Sequence, residues 1–151
     1  MAFILSGLPA DLFRPFFGLT DRALAARGAV RFAAEPSFPC RITLEDAEPG
    51  EPVILLPFEH QPHGLYCATG PIFVRESAGR TKVTDAVPPS FRKRLYSARA
   101  YAADGMMIDA EVGEGVALEA LLDGLFASEE TAYVHLHHAR RGCYACRVDR
   151  A

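Results

Sequence analysis

Two turn signals constrain this chain more than any other feature. Asp104-Gly105 lies between residues 94–102 and 106–112, and Ala139-Arg140-Arg141-Gly142 lies between residues 132–138 and 143–148. All four flanking runs suit extended chain, and Asp-Gly supplies the positive φ that a tight hairpin turn requires. A chain carrying two such hairpins folds around an antiparallel sheet.

The remaining segments fit that frame. Residues 2–5, 29–33, 40–44, 53–58 and 71–75 read as further short strands, with 53–58 apolar throughout and therefore suited to a central position. Residues 8–18 hold two prolines and read as irregular or as one helical turn. Residues 20–28 form a short helix, with Thr20 to cap its first amides, Asp21 at its positive end and Gly28 at its exit. The clearest helix is 116–126. Leu118, Leu121, Leu122, Leu125 and Phe126 make one apolar stripe, and Gly124 weakens the helix while leaving room for close packing on a sheet. Breaker clusters at 48–52, 61–64 and 87–90 fit loops within one domain. The predicted architecture is an α+β single domain over residues 1–151, a mostly antiparallel sheet of about seven strands with two helices covering one face.

Half of the residues are apolar, 23% are charged and the net charge is −3. That composition is globular, and its charge argues against a nucleic-acid partner, although a local arginine cluster can still hold one small anion. The apolar run 53–58 is far short of the roughly 20 residues that span a bilayer, and the first residues lack the basic start and apolar core of a secretory signal. The expected setting is therefore cytoplasmic, without a membrane partner, and the four cysteines are expected as free thiols.

Candidate chemistry concentrates in residues 132–150, which hold three of the five histidines, two of the four cysteines and four arginines. On a strand, Tyr133, His135 and His137 share one face, and Val134, Leu136 and His138 the other. His135-x-His137 is a metal-ligand spacing, since residues two apart lie roughly 6.5–7 Å along a strand and both rings can converge on one ion. It needs further ligands. Cys143 and Cys146 point to opposite faces, so at most one joins the histidines. A two- or four-residue loop brings Tyr144 and Cys146 to the histidine face, and a three-residue loop brings Cys143, Ala145 and Arg147. No metal is assigned on this basis.

Two other readings stay open. A cysteine beside an arginine and a histidine is a candidate nucleophile, because the thiolate is the reactive form. Cys143 with His137 leads here, Cys40 follows, and Cys67 and Cys146 read as core. Arg41, Arg99, Arg147 and Arg150 lie on or beside predicted strands and would bind a carboxylate or phosphate bidentately, unless they pair internally with Glu45, Asp46, Asp109 or Asp149. Arg92-Lys93-Arg94 reads as a solvated loop end. His60 and His63 read as a solvated turn or a lid. Phosphate-cradling glycine loops and the Gly-x-Ser-x-Gly elbow are absent.

Pro39-Cys40-Arg41, Leu44-Glu45-Asp46-Ala47, Pro49-Gly50-Glu51, Gly70 to Val74, Arg99-Ala100-Tyr101, His137, Gly142-Cys143 and Asp149-Arg150-Ala151 together resemble a bacterial family known as domain of unknown function 1203. The resemblance spans nearly the whole chain and is most specific at its last motif. It implies a bacterial cytoplasmic protein and no assigned activity. The functional expectation is a small anionic ligand near the last hairpin, held by Arg41, Arg99, Arg147 and Cys40. The alternatives are a Cys143/His137 enzyme, metal-assisted or not, and a structural or interaction protein whose hairpin forms a homodimer edge. Whether the chain is an enzyme, and which cofactor it uses, stays open.

Overall fold

The computed structural model describes residues 2–151. It is α+β, with nine strands in two antiparallel sheets. The strands are β1 (Phe3–Ser6), β2 (Val30–Ala33), β3 (Pro52–Gln61), β4 (Ala68–Arg75), β5 (Val83–Thr84), β6 (Leu95–Tyr101), β7 (Met107–Glu114), β8 (Tyr133–His138) and β9 (Tyr144–Arg150). The helices are α1 (Asp21–Ala26) and α2 (Leu118–Phe126). One sheet runs β5-β1-β9-β8-β6-β7, and the other runs β2-β3-β4. A second sheet thus stands where the sequence suggested one sheet of about seven strands.

Both hairpins form. Strands β6 and β7 meet around Asp104-Gly105, where Gly105 takes φ +86° and the Ala102 amide donates to the Met106 carbonyl at 2.8 Å. Strands β8 and β9 meet around residues 139–142, with Gly142 at φ +79°. Helix α1 starts where Thr20 Oγ1 accepts the Ala23 amide at 3.1 Å. Residues 10–12 and 14–16 form two short 3-10 turns around Pro15.

Each face of the larger sheet is covered. Leu118, Leu122, Leu125 and Phe126 of α2 pack with Ala98, Ala100, Val134, Leu136, Cys146 and Val148. On the opposite side, Ile54 and Leu56 of β3 and Ile72 and Val74 of β4 share a core with Leu24, Phe13 and Tyr144. Tyr144 is the large-sheet residue that enters this second core, and Gln61 of β3 joins it by a hydrogen bond from Nε2 to the Tyr133 hydroxyl at 2.8 Å. The layers are α2, large sheet, small sheet.

Two expectations change. Residues 40–44 form turns and no strand; Pro39 and Asp46 make one isolated bridge, the Leu44 amide donates back to Cys40 at 3.0 Å, and Leu44 takes φ +56°. Cys40, Ile42 and Leu44 are all buried even so, which is why their spacing imitates strand alternation. Gly124 makes no close approach to the sheet, because a Cβ there would meet open space. Its side is exposed helix surface, so Gly124→Ala is expected to stabilise the fold by about 0.5–1 kcal/mol, read as a higher urea midpoint.

Candidate functional site

The chemistry-bearing residues divide into two neighbouring places, a histidine cluster between the sheets and a basic cleft at the hairpin loop. The cluster forms because β8 turns its odd-numbered residues toward the small sheet. Tyr133, His135 and His137 lie opposite Tyr101, Arg99 and Ser97 of β6. On the other flank His137 lies opposite Tyr144, and His135 lies opposite Arg147. That pairing takes two steps along β8 and three along β9, so β9 carries a bulge.

The bulge settles which cysteine joins the histidine face: neither does. Cys146 pairs with Leu136 in the core against α2, where burial pushes its thiol pKa up. Cys143 lies before the strand and lines the cleft. The third histidine comes from β3. One ring nitrogen each from His60, His135 and His137 lie within 4.8 Å of one another. The His60 ring stacks on Tyr144 with centroids 5.3 Å apart, and His135 meets the same tyrosine edge-on at 5.2 Å.

His135 is 3% exposed and His137 1% exposed. His137 Nδ1 lies 2.8 Å from the Gly142 carbonyl, which only accepts. Nδ1 therefore carries the proton and Nε2 presents a bare lone pair. That Nε2, His135 Nδ1 and His60 Nδ1 are buried and have no hydrogen-bond partner. Burial lowers all three pKa values, to about 3 for His135 and about 4 for His137, with the neighbouring histidines and Arg99 adding to the effect. Around neutral pH the three rings are uncharged.

The cleft has a volume of about 850 Å³. It opens between residues 36–39, β3 and β4 at Leu55 and Phe73, residues 92–95, and the loop of the last hairpin. Arg41, Arg92, Lys93, Arg94, Arg140 and Arg141 line it, against one acid, Glu114. Three of these cations are already paired: Arg92 with Glu119, and Lys93 and Arg94 with Asp46. The segment 92–94 is thus ion-paired, with Arg92 and Lys93 still open to solvent. Arg140 and Arg141 are exposed and have no carboxylate in ion-pair distance among the described residues.

Arg41 differs from all of these. It is 3% exposed, and its Nε and Nη1 donate to the carbonyls of Tyr144 at 2.8 Å and Pro39 at 3.0 Å. Among the described residues no carboxylate pairs with it, and burial lowers its pKa to about 10. An arginine buried on carbonyls alone keeps its positive charge without a counter-ion.

The other candidates lie apart. Arg147 chelates Asp149 at 2.8–3.0 Å and covers the Tyr133 ring at 4.1 Å. Arg99 flanks His135 across the β6–β8 ladder, and its Nε contacts Ser97 Oγ at 3.3 Å. Arg150 donates to the Ser128 carbonyl at 2.7 Å. Cys40 is buried in the small-sheet core and accepts the Arg75 amide at 3.4 Å. Cys67 is exposed, contrary to its reading as core. Cys143 shares the cleft with His138, while the His137 ring belongs to the histidine cluster. His60 is the member of the cluster that the sequence placed elsewhere, as a solvated turn or a lid. Its signal was the continuation of the apolar run 53–58 through Glu59-His60-Gln61, which extends β3 and leaves no free turn at 60.

A family model described as protein of unknown function (DUF1203) matches residues 37–150. The chain belongs to that family. The match covers β3 to β9, and so takes in Arg41, the cleft lining apart from Pro36, and all three clustered histidines of this DUF1203 chain. No curated protein and no solved structure matches it. Among the described residues of the DUF1203 chain, no helix is long and apolar enough to cross a membrane.

Proposed function

We propose that the cleft beside the last hairpin binds a small anion, of the carboxylate or phosphate class. One observation carries the reading: among the described residues Arg41 is buried without a carboxylate partner, and it lines a cleft whose unpaired exposed charges are two positive, Arg140 and Arg141, against one negative, Glu114. A bound anion supplies the counter-charge that Arg41 lacks, in a concave site of ligand-binding size. The apolar surface of Phe38, Leu55, Phe73 and Val116 in the same lining suits an anion with a small apolar body.

The test is calorimetric titration with inorganic phosphate, pyrophosphate and citrate at low salt. At least one should bind, and rising salt should weaken it. Removing both loop charges in Arg140→Ala/Arg141→Ala leaves the packed core untouched and is expected to weaken binding by about tenfold or more, since a charge-assisted hydrogen bond contributes about 1.5–3 kcal/mol. Arg41→Lys, which keeps the charge and loses the fork, should weaken it as well. If none of the three anions binds the wild-type chain, or if the double variant binds them equally well, the reading is wrong.

A further inference from the structure

We infer that His60, His135 and His137 form a binding site for a divalent ion of the zinc class. The inference is independent of the anion cleft. It stands first on convergence: one nitrogen from each of three imidazoles, carried by two sheets, lies within 4.8 Å of the others. Nitrogens bound at about 2.0–2.1 Å to one tetrahedral ion lie about 3.4 Å apart, a closure that small ring rotations supply. It stands second on unmet hydrogen-bonding capacity. Each of the same three rings has one buried nitrogen without a partner, Nδ1 of His60, Nδ1 of His135 and Nε2 of His137. Buried polar atoms are nearly always satisfied, and one bound ion would give these nitrogens a common partner.

Orientation gives a third support. The hydrogen bond from His137 Nδ1 to the Gly142 carbonyl, at 2.8 Å, fixes the tautomer that leaves Nε2 bare. Metal-bound histidines are held in this way by a carbonyl or carboxylate behind the ring. Tyr144, stacked on His60 and edge-on to His135, holds the other two rings in place.

Charge sets the limits of the site. Among the described residues no carboxylate or thiolate joins the three histidines, and Arg99 and Arg147 flank His135 on its two neighbouring strands. A dication there has only neutral ligands and nearby positive charge, so its affinity is lower than that of cysteine-rich sites. Arg99, which has no carboxylate partner among the described residues, favours an anion at the fourth coordination position, which three protein ligands leave open. All-imidazole ligation selects zinc, copper or nickel over magnesium and calcium, which prefer oxygen.

The experiment uses the full chain without a histidine tag, stripped with a chelator and titrated with Zn2+ and Co2+. The expected result is one ion per chain, with the visible spectrum of tetrahedral Co2+. His60→Gln, His135→Gln and His137→Gln should each weaken binding by at least tenfold, while His63→Gln binds as wild type does. X-ray absorption of the zinc-loaded wild-type chain should show nitrogen ligands without sulfur, which keeps the test independent of how the variants fold. Absence of stoichiometric binding at a hundred micromolar free ion (about −5.5 kcal/mol), sulfur in the zinc shell, or undiminished binding in the three histidine variants would each overturn the inference.

Discussion

Lowering the pH from 7.5 to 5 is expected to cost the metal-free chain a large part of its folding stability. His135, His137 and His138 have pKa values of about 3, 4 and 3 in the fold, each lowered first by burial. In the unfolded chain a histidine titrates near 6.5. Above pH 6.5 neither state is protonated and the three rings carry no penalty. Below it the unfolded chain takes up a proton at each ring while the folded chain does not, so stability falls with pH through the window from 6.5 to about 4. At pH 5 each ring has contributed about 2 kcal/mol to the loss, at 1.36 kcal/mol per unit. Three rings together remove about 6 kcal/mol from a fold whose total is typically 5–15 kcal/mol.

Carboxylates do not share this window. Asp46, Glu76 and Glu119 are held below their ordinary range. Arg31 does this for Glu76 and Arg92 for Glu119, while Lys93 and Arg94 do it for Asp46 against its own burial. Their contribution is present above the unfolded carboxylate pKa and is lost only as the pH falls further, below about 4.5. Urea unfolding at pH 7.5, 6 and 5 therefore reads the histidines. The unfolding free energy should drop steeply between the first and last of these, and His138→Gln should make the drop shallower by about a third. A chain equally stable at pH 7.5 and 5, or a variant with the wild-type slope, would refute the account.

Local signals made much of the fold legible. Asp104-Gly105 located the β6–β7 hairpin, and the Thr20 cap and Gly28 exit bracketed α1, because each is a property of a few adjacent residues. The leucine stripe located α2 for the same reason. What escaped was set by contacts between distant segments. The bulge in β9 decides that Tyr144 and Arg147 share the histidine face and that Cys146 does not, and no residue in 143–147 announces it. The histidine cluster was half visible, since His135 and His137 alternate on one strand. His60 joins them only because the second sheet packs β3 across β8 and β9, which is a tertiary fact. The cleft was read through Arg41 and missed through Arg147, which Asp149 two residues away neutralises.

The junction that carries Arg41 to the cleft depends on a single absent methyl group. At the end of β1, the Gly7 amide donates to the Lys82 carbonyl at 2.8 Å, the Leu8 amide to Arg41 at 2.7 Å, and the Lys82 amide to Ile42 at 2.9 Å. These three bonds lace β1, the 40–44 turn and the segment leading into β5 into one knot. A Cβ on Gly7 would overlap the Ile42 carbonyl and press on that of Arg41. The clash is with backbone that the same bonds hold in place, so no side-chain rotation relieves it. Ile42 is fully buried in the small-sheet core, which closes the other route of escape. Gly7→Ala is therefore expected to destabilise the chain by about 3–5 kcal/mol, at the upper end for a single methyl, because overpacking and broken hydrogen bonds act together. Gly124→Ala, the same chemical change on open helix surface, should move stability the other way. Urea midpoints of the two variants measure the contrast. Anion titration of whatever Gly7→Ala remains folded measures its reach: a displaced 40–44 turn carries the Arg41 guanidinium with it, so binding in the cleft should weaken even in the folded fraction. Equal stability of the two alanine variants would show that the β1 junction yields where its hydrogen bonds indicate that it cannot.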